Sequence, residues 1–384
     1  MGFFSRIKAA MGEAETVKAL LDVPPSERPI LVYAEDDYSW NQLEGYVREI
    51  TSTHGRLVTY VTSDPEDPIL DRQDDLIRAY CVRESLQKFL PRIDSPVFLT
   101  TMPDLDSFHL KRPTASTCVY AFHSLNSTHA AYRRGAFDAY DVFLCVGPYQ
   151  KEELRLRFDQ IGKSDYHLAE TGYYKLDRVA GAFSRYTKTH PEDTTVLVAP
   201  SWGRDNLLES VGAELITSLA DAGFRTVVRP HPAFFESIYP GGEAIVARLE
   251  ALFEDRSNVA FEKSITTENS FLEADLMVSD WSGAAFEYAF GTERPVLFVD
   301  VPRKVMNDDW GAIGLLPFED RIRSEVGTVL PIGDAADAGD AATSLIAGAD
   351  RYRSGIVAVR EQEVFNFGTA AKAGAATIVD LIPR

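Results

Sequence analysis

At 384 residues the chain is too long for one ordinary hydrophobic core, and its 45% hydrophobic and 25% charged residues suit a globular protein of two domains. A net charge of −19 argues against nucleic acid as a general partner, because a phosphate backbone is repelled by a large anionic field. Three scattered cysteines, Cys81, Cys118 and Cys145, exclude a disulfide framework or a CxxC metal site, and no apolar run reaches the ~18 residues that span a bilayer.

The first twenty residues predict a helix. Phe3, Phe4, Ile7, Met11, Val17 and Leu20 or Leu21 share one face, with Arg6 and Lys8 beside it. This face either packs on the body of the protein or lies in a membrane interface, and two glutamates weaken the second reading. The segment has no uninterrupted apolar stretch of the secretory kind. A cytoplasmic location is expected, with peripheral contact to the inner face of the cell membrane as the alternative.

Short apolar runs then recur with helical stretches between them. In the first half they are 30–34, 57–62, 97–101, 118–122 and 142–146. In the second half they are 196–199, 226–229, 259–262, 276–278 and 296–299. This alternation predicts βα units and parallel sheets, and two sets of five strands predict two doubly wound α/β domains facing across a cleft. The boundary is expected in 174–194. That makes 1–180 an acceptor domain and 190–350 a nucleotide-donor domain, with the Ala-rich C-terminal helices, 351–384, packing back toward the first. Ligands of such sheets bind at the carboxyl ends of the strands, so the residues just after each strand carry the functional reading.

Glu35, Asp36 and Asp37 follow the first strand, and acidic capping of a helix competes there with a metal site. After the fourth comes Phe122–His129, FHSLNSTH, then Tyr132, Arg133 and Arg134. His123 is a candidate proton acceptor near neutral pH. His129, Arg133 and Arg134 are candidate acceptor-binding residues, the two arginines competing with a solvated surface. Ser201, Trp202 and Gly203 follow the strand ending near Ala199, as backbone donors and an aromatic wall. Arg229-Pro230-His231-Pro232 fixes Arg229 and His231 between prolines at a sheet edge, which suits a cation and a donor aimed at a diphosphate.

The densest signal is Ala274–Asp300. A strand ends at Ser279-Asp280, and a helix starts at Ser282-Gly283 with its N–H groups free for an anion. Glu287 lies one helical turn on, either at a ribose hydroxyl or paired with Arg294. GxSxG, GxxxxGK[ST] and GxGxxG after a strand are all missing, so hydrolase, P-loop and standard dinucleotide readings lack their motifs.

RPHP at 229–232, SDWSG at 279–283, Gly291–Asp300 (GTERPVLFVD) and Thr171–Val179 (TGYYKLDRV) together resemble the CDP-glycerol glycerophosphotransferase family of teichoic-acid and capsule primases and polymerases. The similarity runs over about Val97–Asp309. It implies a GT-B fold, two Rossmann-like domains. It also implies metal-independent transfer of glycerol phosphate, or a related polyol phosphate, from CDP-glycerol to a glycan or lipid-linked hydroxyl, releasing CMP. His123 falls on the family's WHGxxxK histidine, with Ser124 in place of its glycine and His129 near its lysine. By the same resemblance His231 and the Ser282 turn bind the donor diphosphate; Arg229, Ser201, Asp280, Gly283 and Glu287 complete the candidate donor site read from the strand ends, with no cofactor expected. Two other readings stay open: a GT-B glycosyltransferase using a nucleotide sugar, and a nucleotide- or glycan-binding protein without chemistry.

Overall fold

The computed structural model describes residues 3–107, 110–263 and 268–383, with side chains from Gly12 onward. It divides into two compact units. Unit 1 comprises the chain up to His123, Tyr132–Lys175 and the residues from Val364 on; unit 2 comprises Ser124–Ala131 and Leu176–Glu363.

Unit 1 is built on β1 (Ile30–Ala34), β2 (Val58–Thr62), β3 (Ile77–Cys81), β4 (Val97–Thr100), β5 (Thr117–Ala121), β6 (Val142–Cys145) and β7 (His167–Glu170). These form one parallel sheet in the order β3-β2-β1-β4-β5-β6-β7. Unit 2 carries β8 (Thr195–Val198), β9 (Arg225–Val228), β10 (Val259–Phe261), β11 (Leu276–Ser279), β12 (Val296–Asp300) and β13 (Gly327–Pro331). Its parallel order is β10-β9-β8-β11-β12-β13. Each unit winds outward from its first strand in both directions, the doubly wound arrangement, with switch points at β1/β4 and β8/β11.

The central strands read as unbroken apolar runs because both faces are covered: β1, β2, β4, β6, β8 and β11 are buried at every position. All ten runs read from the sequence are strands. The three additional strands, β3, β7 and β13, are all sheet edges. Their sequences, IRAYC, HLAE and GTVLP, mix polar with apolar residues because an edge is only partly covered.

The units interleave more than the expected blocks 1–180 and 190–350, with 351–384 packing back toward the first. Unit 2 begins at Leu176, inside the helix Tyr174–Phe183. Ser124–Ala131 joins unit 2 although both its flanks belong to unit 1. The C-terminal helices divide between the units. Ala349–Glu363 stays with unit 2, where Arg360 donates to the Phe290 carbonyl at 2.6 Å and pairs with Glu293 at 3.1 Å. Ala370–Asp380 belongs to unit 1, and its Ala375 and Ile378 join the core formed by β1, β2 and the helix Asp37–Ser52.

The N-terminal helix runs Phe3–Asp22. Its second half is docked on unit 1: Leu20 is fully buried, and Glu13 accepts the backbone N–H groups of Arg83, Glu84 and Ser85 at 3.2, 3.3 and 2.8 Å. The side chains of Phe3, Phe4, Ile7 and Met11 lie outside the described residues. Among the described residues no helix is long and apolar enough to cross a membrane. Asp36 caps the helix after β1, its carboxylate accepting from Ser39 N and Oγ at 2.8 Å each, so this part of the acidic cluster is spent on a helix start. Cys118 and Cys145 are buried free thiols, as the apolar runs around them predict.

Candidate functional site

The switch point of unit 2 is cross-braced by a single carboxylate. Asp280, at the end of β11, accepts Ser201 N at 2.6 Å and Leu207 N at 3.1 Å, both from the loop after β8. It is almost fully buried, and burial pushes its carboxyl above the usual range while the backbone donors pull it back. Asp280 and Ser201 therefore meet, and their bond holds two strand-end loops together.

His231 stands beyond β9 as the cap of the short turn Pro232–Phe235. Its Nδ1 accepts Ala233 N at 3.2 Å, so in the neutral ring the proton sits on Nε2. The prolines on either side fix the ring beside Trp202, the two ring centroids 6.0 Å apart. Arg229 differs from expectation. Its guanidinium is turned inward, donating to Ser270 Oγ at 2.8 Å and lying 5.2 Å from the Phe271 ring centroid. The residue is only 8% exposed, a rigid strut of the strand exit more than a cation offered at the sheet edge.

Ser282 caps the helix Gly283–Thr292, its Oγ accepting Ala284 N at 3.3 Å, and Glu287 is buried one turn on. Arg294 donates to the Ala274 and Leu272 carbonyls and lies over the Phe183 ring. The helix start is not open in the way the motif suggests. A Cβ added at Gly283 would fall 2.1 Å from Ser124 Oγ and 2.7 Å from Asn126 Oδ1. The excursion Ser124–Ala131 is thus packed onto the SDWSG turn. It is pinned further where Glu319 accepts Ser127 N at 2.9 Å, Met306 N reaches the Ala130 carbonyl at 2.9 Å, and Asn307 Nδ2 reaches the His129 carbonyl at 2.9 Å. Gly283→Ala is expected to destabilise unit 2 by about 1–3 kcal/mol, the range for overpacking a filled site. Ser124→Gly should recover part of that loss in a double-mutant cycle read by urea unfolding; additive losses would mean the two residues do not touch.

His123 closes unit 1 just before the chain enters this excursion. Its Nδ1 lies 2.9 Å from the Thr101 carbonyl and 3.2 Å from Tyr120 Oη. A carbonyl only accepts, so Nδ1 carries the proton and Nε2 keeps the lone pair that a general base needs. Burial pulls its pKa down to about 4, against the Thr101 bond, so the ring is neutral at pH 7.

The residues expected to bind an acceptor fall in both units. His129 is buried in unit 2, its ring 6.4 Å from Trp310. Arg133 and Arg134 are exposed on unit 1, with Arg133 3.4 Å from Asp104.

One residue of the unit 2 edge escaped the sequence reading. Lys304, in the loop after β12, holds its Nζ 3.8 Å from the Trp202 ring centroid. Burial pulls its pKa down to about 7, partly offset by Asp280. The strand-end inventory that found Ser201, His231 and Asp280 stopped at β11; extended to β12 it reaches this lysine.

No protein-family model and no curated protein matches the chain. Solved structures do. The wall teichoic acid polymerase TagF is similar at a TM-score of 0.58 and 14% identity, over 99% of this chain and 99% of that one. A TagF structure soaked with CDPG gives 0.58 and 13%, over 100% and 98%. HepE from Anabaena, in complex with UDP and glucose, gives 0.52 and 12%, over 92% and 99%. A putative UDP-N-acetylglucosamine 2-epimerase from Listeria monocytogenes gives 0.56 and 12%, over 89% and 93%. At such identities the likeness concerns architecture, and it agrees with the two strand orders: the chain has a GT-B fold of two Rossmann-like units.

Proposed function

We propose that this protein is a transferase that takes a glycerol-phosphate or related polyol-phosphate group from a CDP-activated donor. The acceptor is a hydroxyl of a glycan or lipid-linked molecule in cell-envelope polymer synthesis, and CMP is released. The observation that carries the reading is the constellation at the carboxyl edge of the six-stranded sheet. There the loops after β8 and β9 bring together Trp202 and the proline-held ring of His231, beside the turn at the end of β11 that Asp280 ties to Ser201. An aromatic wall and a fixed imidazole suit a nucleoside diphosphate. The motif resemblance adds Gly283 and Glu287 to the donor site. It keeps His129, Arg133 and Arg134 as acceptor contacts.

In the reaction the acceptor oxygen attacks the donor phosphorus that bears glycerol. The bond from that phosphorus to the oxygen bridging to CMP breaks, and the bridging electrons leave with CMP. His123 Nε2 takes the proton of the attacking hydroxyl, and His231 steadies the charge that develops on the leaving phosphate. Neither step needs a covalent enzyme intermediate.

A thermal-shift screen tests the donor. CDP and CDP-glycerol at 100 times their Kd are expected to stabilise the fold by about 2.7 kcal/mol, with UDP- and GDP-sugars inert. The second reading, a nucleotide-sugar donor, is favoured by the similarity to HepE with UDP and glucose. A shift with UDP-sugars alone would select it, and no shift with any nucleotide would remove both.

A further inference from the structure

The loop after β12 brings a cation to the switch-point edge of unit 2. Lys304 is half-buried there, and among the described residues its Nζ has neither a hydrogen-bond acceptor nor an ion pair. Its contact is the face of Trp202, which also neighbours His231. The carboxylate whose charge it feels, Asp280, has both oxygens committed to the backbone N–H groups of Ser201 and Leu207. Its described neighbours give it an indole face and no acceptor, while a lysine has three donors to satisfy.

The loop is built to hold that position. Trp281 Nε1 donates to the Val301 carbonyl at 2.9 Å. Arg303, the neighbour of Lys304, lies between the Trp281 and Trp310 rings, 5.4 and 4.7 Å from their centroids, and is paired with Asp320. On the other side Met306 and Asn307 are tied to the carbonyls of Ala130 and His129. Arg303 is thus spent on structure, while Lys304 between these anchors is left with its charge on offer. A preorganised donor loses little entropy when a ligand arrives.

We propose that Lys304, held on the Trp202 ring that also neighbours His231, is the cation that binds the diphosphate of the nucleotide donor. The proposal rests on the donor site assigned to unit 2 above, and it supplies the positive charge that the inward-turned Arg229 does not bring to the sheet edge. The chemistry recognised is two linked phosphates. A nucleoside diphosphate and free pyrophosphate share it, and cytidine lacks it. The titratable groups near the ammonium are Asp280 from the end of β11, whose charge it feels, and His231 from the loop after β9, which shares the Trp202 ring with it. Burial pulls the ammonium's pKa down to about 7, and an anion bound beside it would push it back up.

Calorimetric titration of the full chain with CDP, pyrophosphate and cytidine tests this. Lys304→Met, which keeps the apolar stem on Trp202, is expected to weaken CDP and pyrophosphate by about 10- to 100-fold, the scale of one charge-assisted hydrogen bond. Cytidine should bind as to the unchanged protein, and the melting temperature should hold. Lys304→Arg should recover most of the CDP affinity. Equal CDP affinity in the Met variant, with the unchanged protein binding CDP normally, overturns the role of Lys304 and leaves the donor site standing. Failure of the unchanged protein to bind CDP, UDP or pyrophosphate overturns the donor site itself. Loss of cytidine binding together with CDP would assign Lys304 to the base or to folding, against the proposal.

Discussion

His123→Ala is expected to lower turnover by about 10²- to 10⁴-fold, the usual weight of a general base, while CDP affinity stays unchanged. The expectation comes from one hydrogen bond. With Nδ1–H given to the Thr101 carbonyl, the ring can use only Nε2 as acceptor. His123→Gln keeps a polar side chain without a titrating nitrogen and should be as inactive as the alanine variant. The pH profile separates a base from a packing residue. Burial places the free imidazole at about 4, so kcat/KM should hold down to pH 5 and fall as pH drops through 4. The sign follows from the protonated ring being unable to accept the proton. The same burial acts on the fold. The folded pKa lies below the unfolded value of ~6.5, so the unfolded state binds the proton first, and stability falls as pH drops from ~6.5 through 4. An acid limb near 6.5, or normal turnover by the alanine variant with a true acceptor, would remove His123 from the chemistry.

Asp280→Ala should be the most damaging single change to unit 2, at about 3–5 kcal/mol. It strands two buried N–H groups, Ser201 N and Leu207 N, each costing ~1–3 kcal/mol when left unmet. It also opens a small void under the loop after β8. Asp280→Asn should cost less but still harm, since its amide nitrogen meets one of those donors with another donor. The units have separate cores, so calorimetry of the alanine variant should show unit 2 melting lower by about 10 °C, with the transition of unit 1 little moved. A loss below ~1 kcal/mol would mean water replaces the carboxylate easily. The variant is informative about function only after its fold has been checked, because the same loops carry Trp202 and His231.

The depth of the sequence reading followed burial. Strands covered on both faces are mostly apolar, so the central strands announce themselves, whereas three of the four edge strands, β3, β7 and β13, do not. Turn chemistry was equally legible where it is local. The prolines around His231 and the Ser282 cap each act within a few residues of themselves. Arg229 shows the limit of that logic. Its place after β9 was correct, but the direction of a long side chain is decided by what packs beside it, here Ser270 and Phe271.

By itself, then, the sequence determined two parallel α/β sheets, the strand ends where chemistry gathers, and the fixed turns at RPHP and SDWSG, because each depends on a pattern of neighbours in the chain. Only the tertiary structure decided that Ser124–Ala131 belongs with unit 2 and packs on Gly283, and that Lys304 meets Trp202. Those pairings join residues roughly 100 or more positions apart. No local propensity encodes them; they form because the folded units bring the strand ends together at one sheet edge.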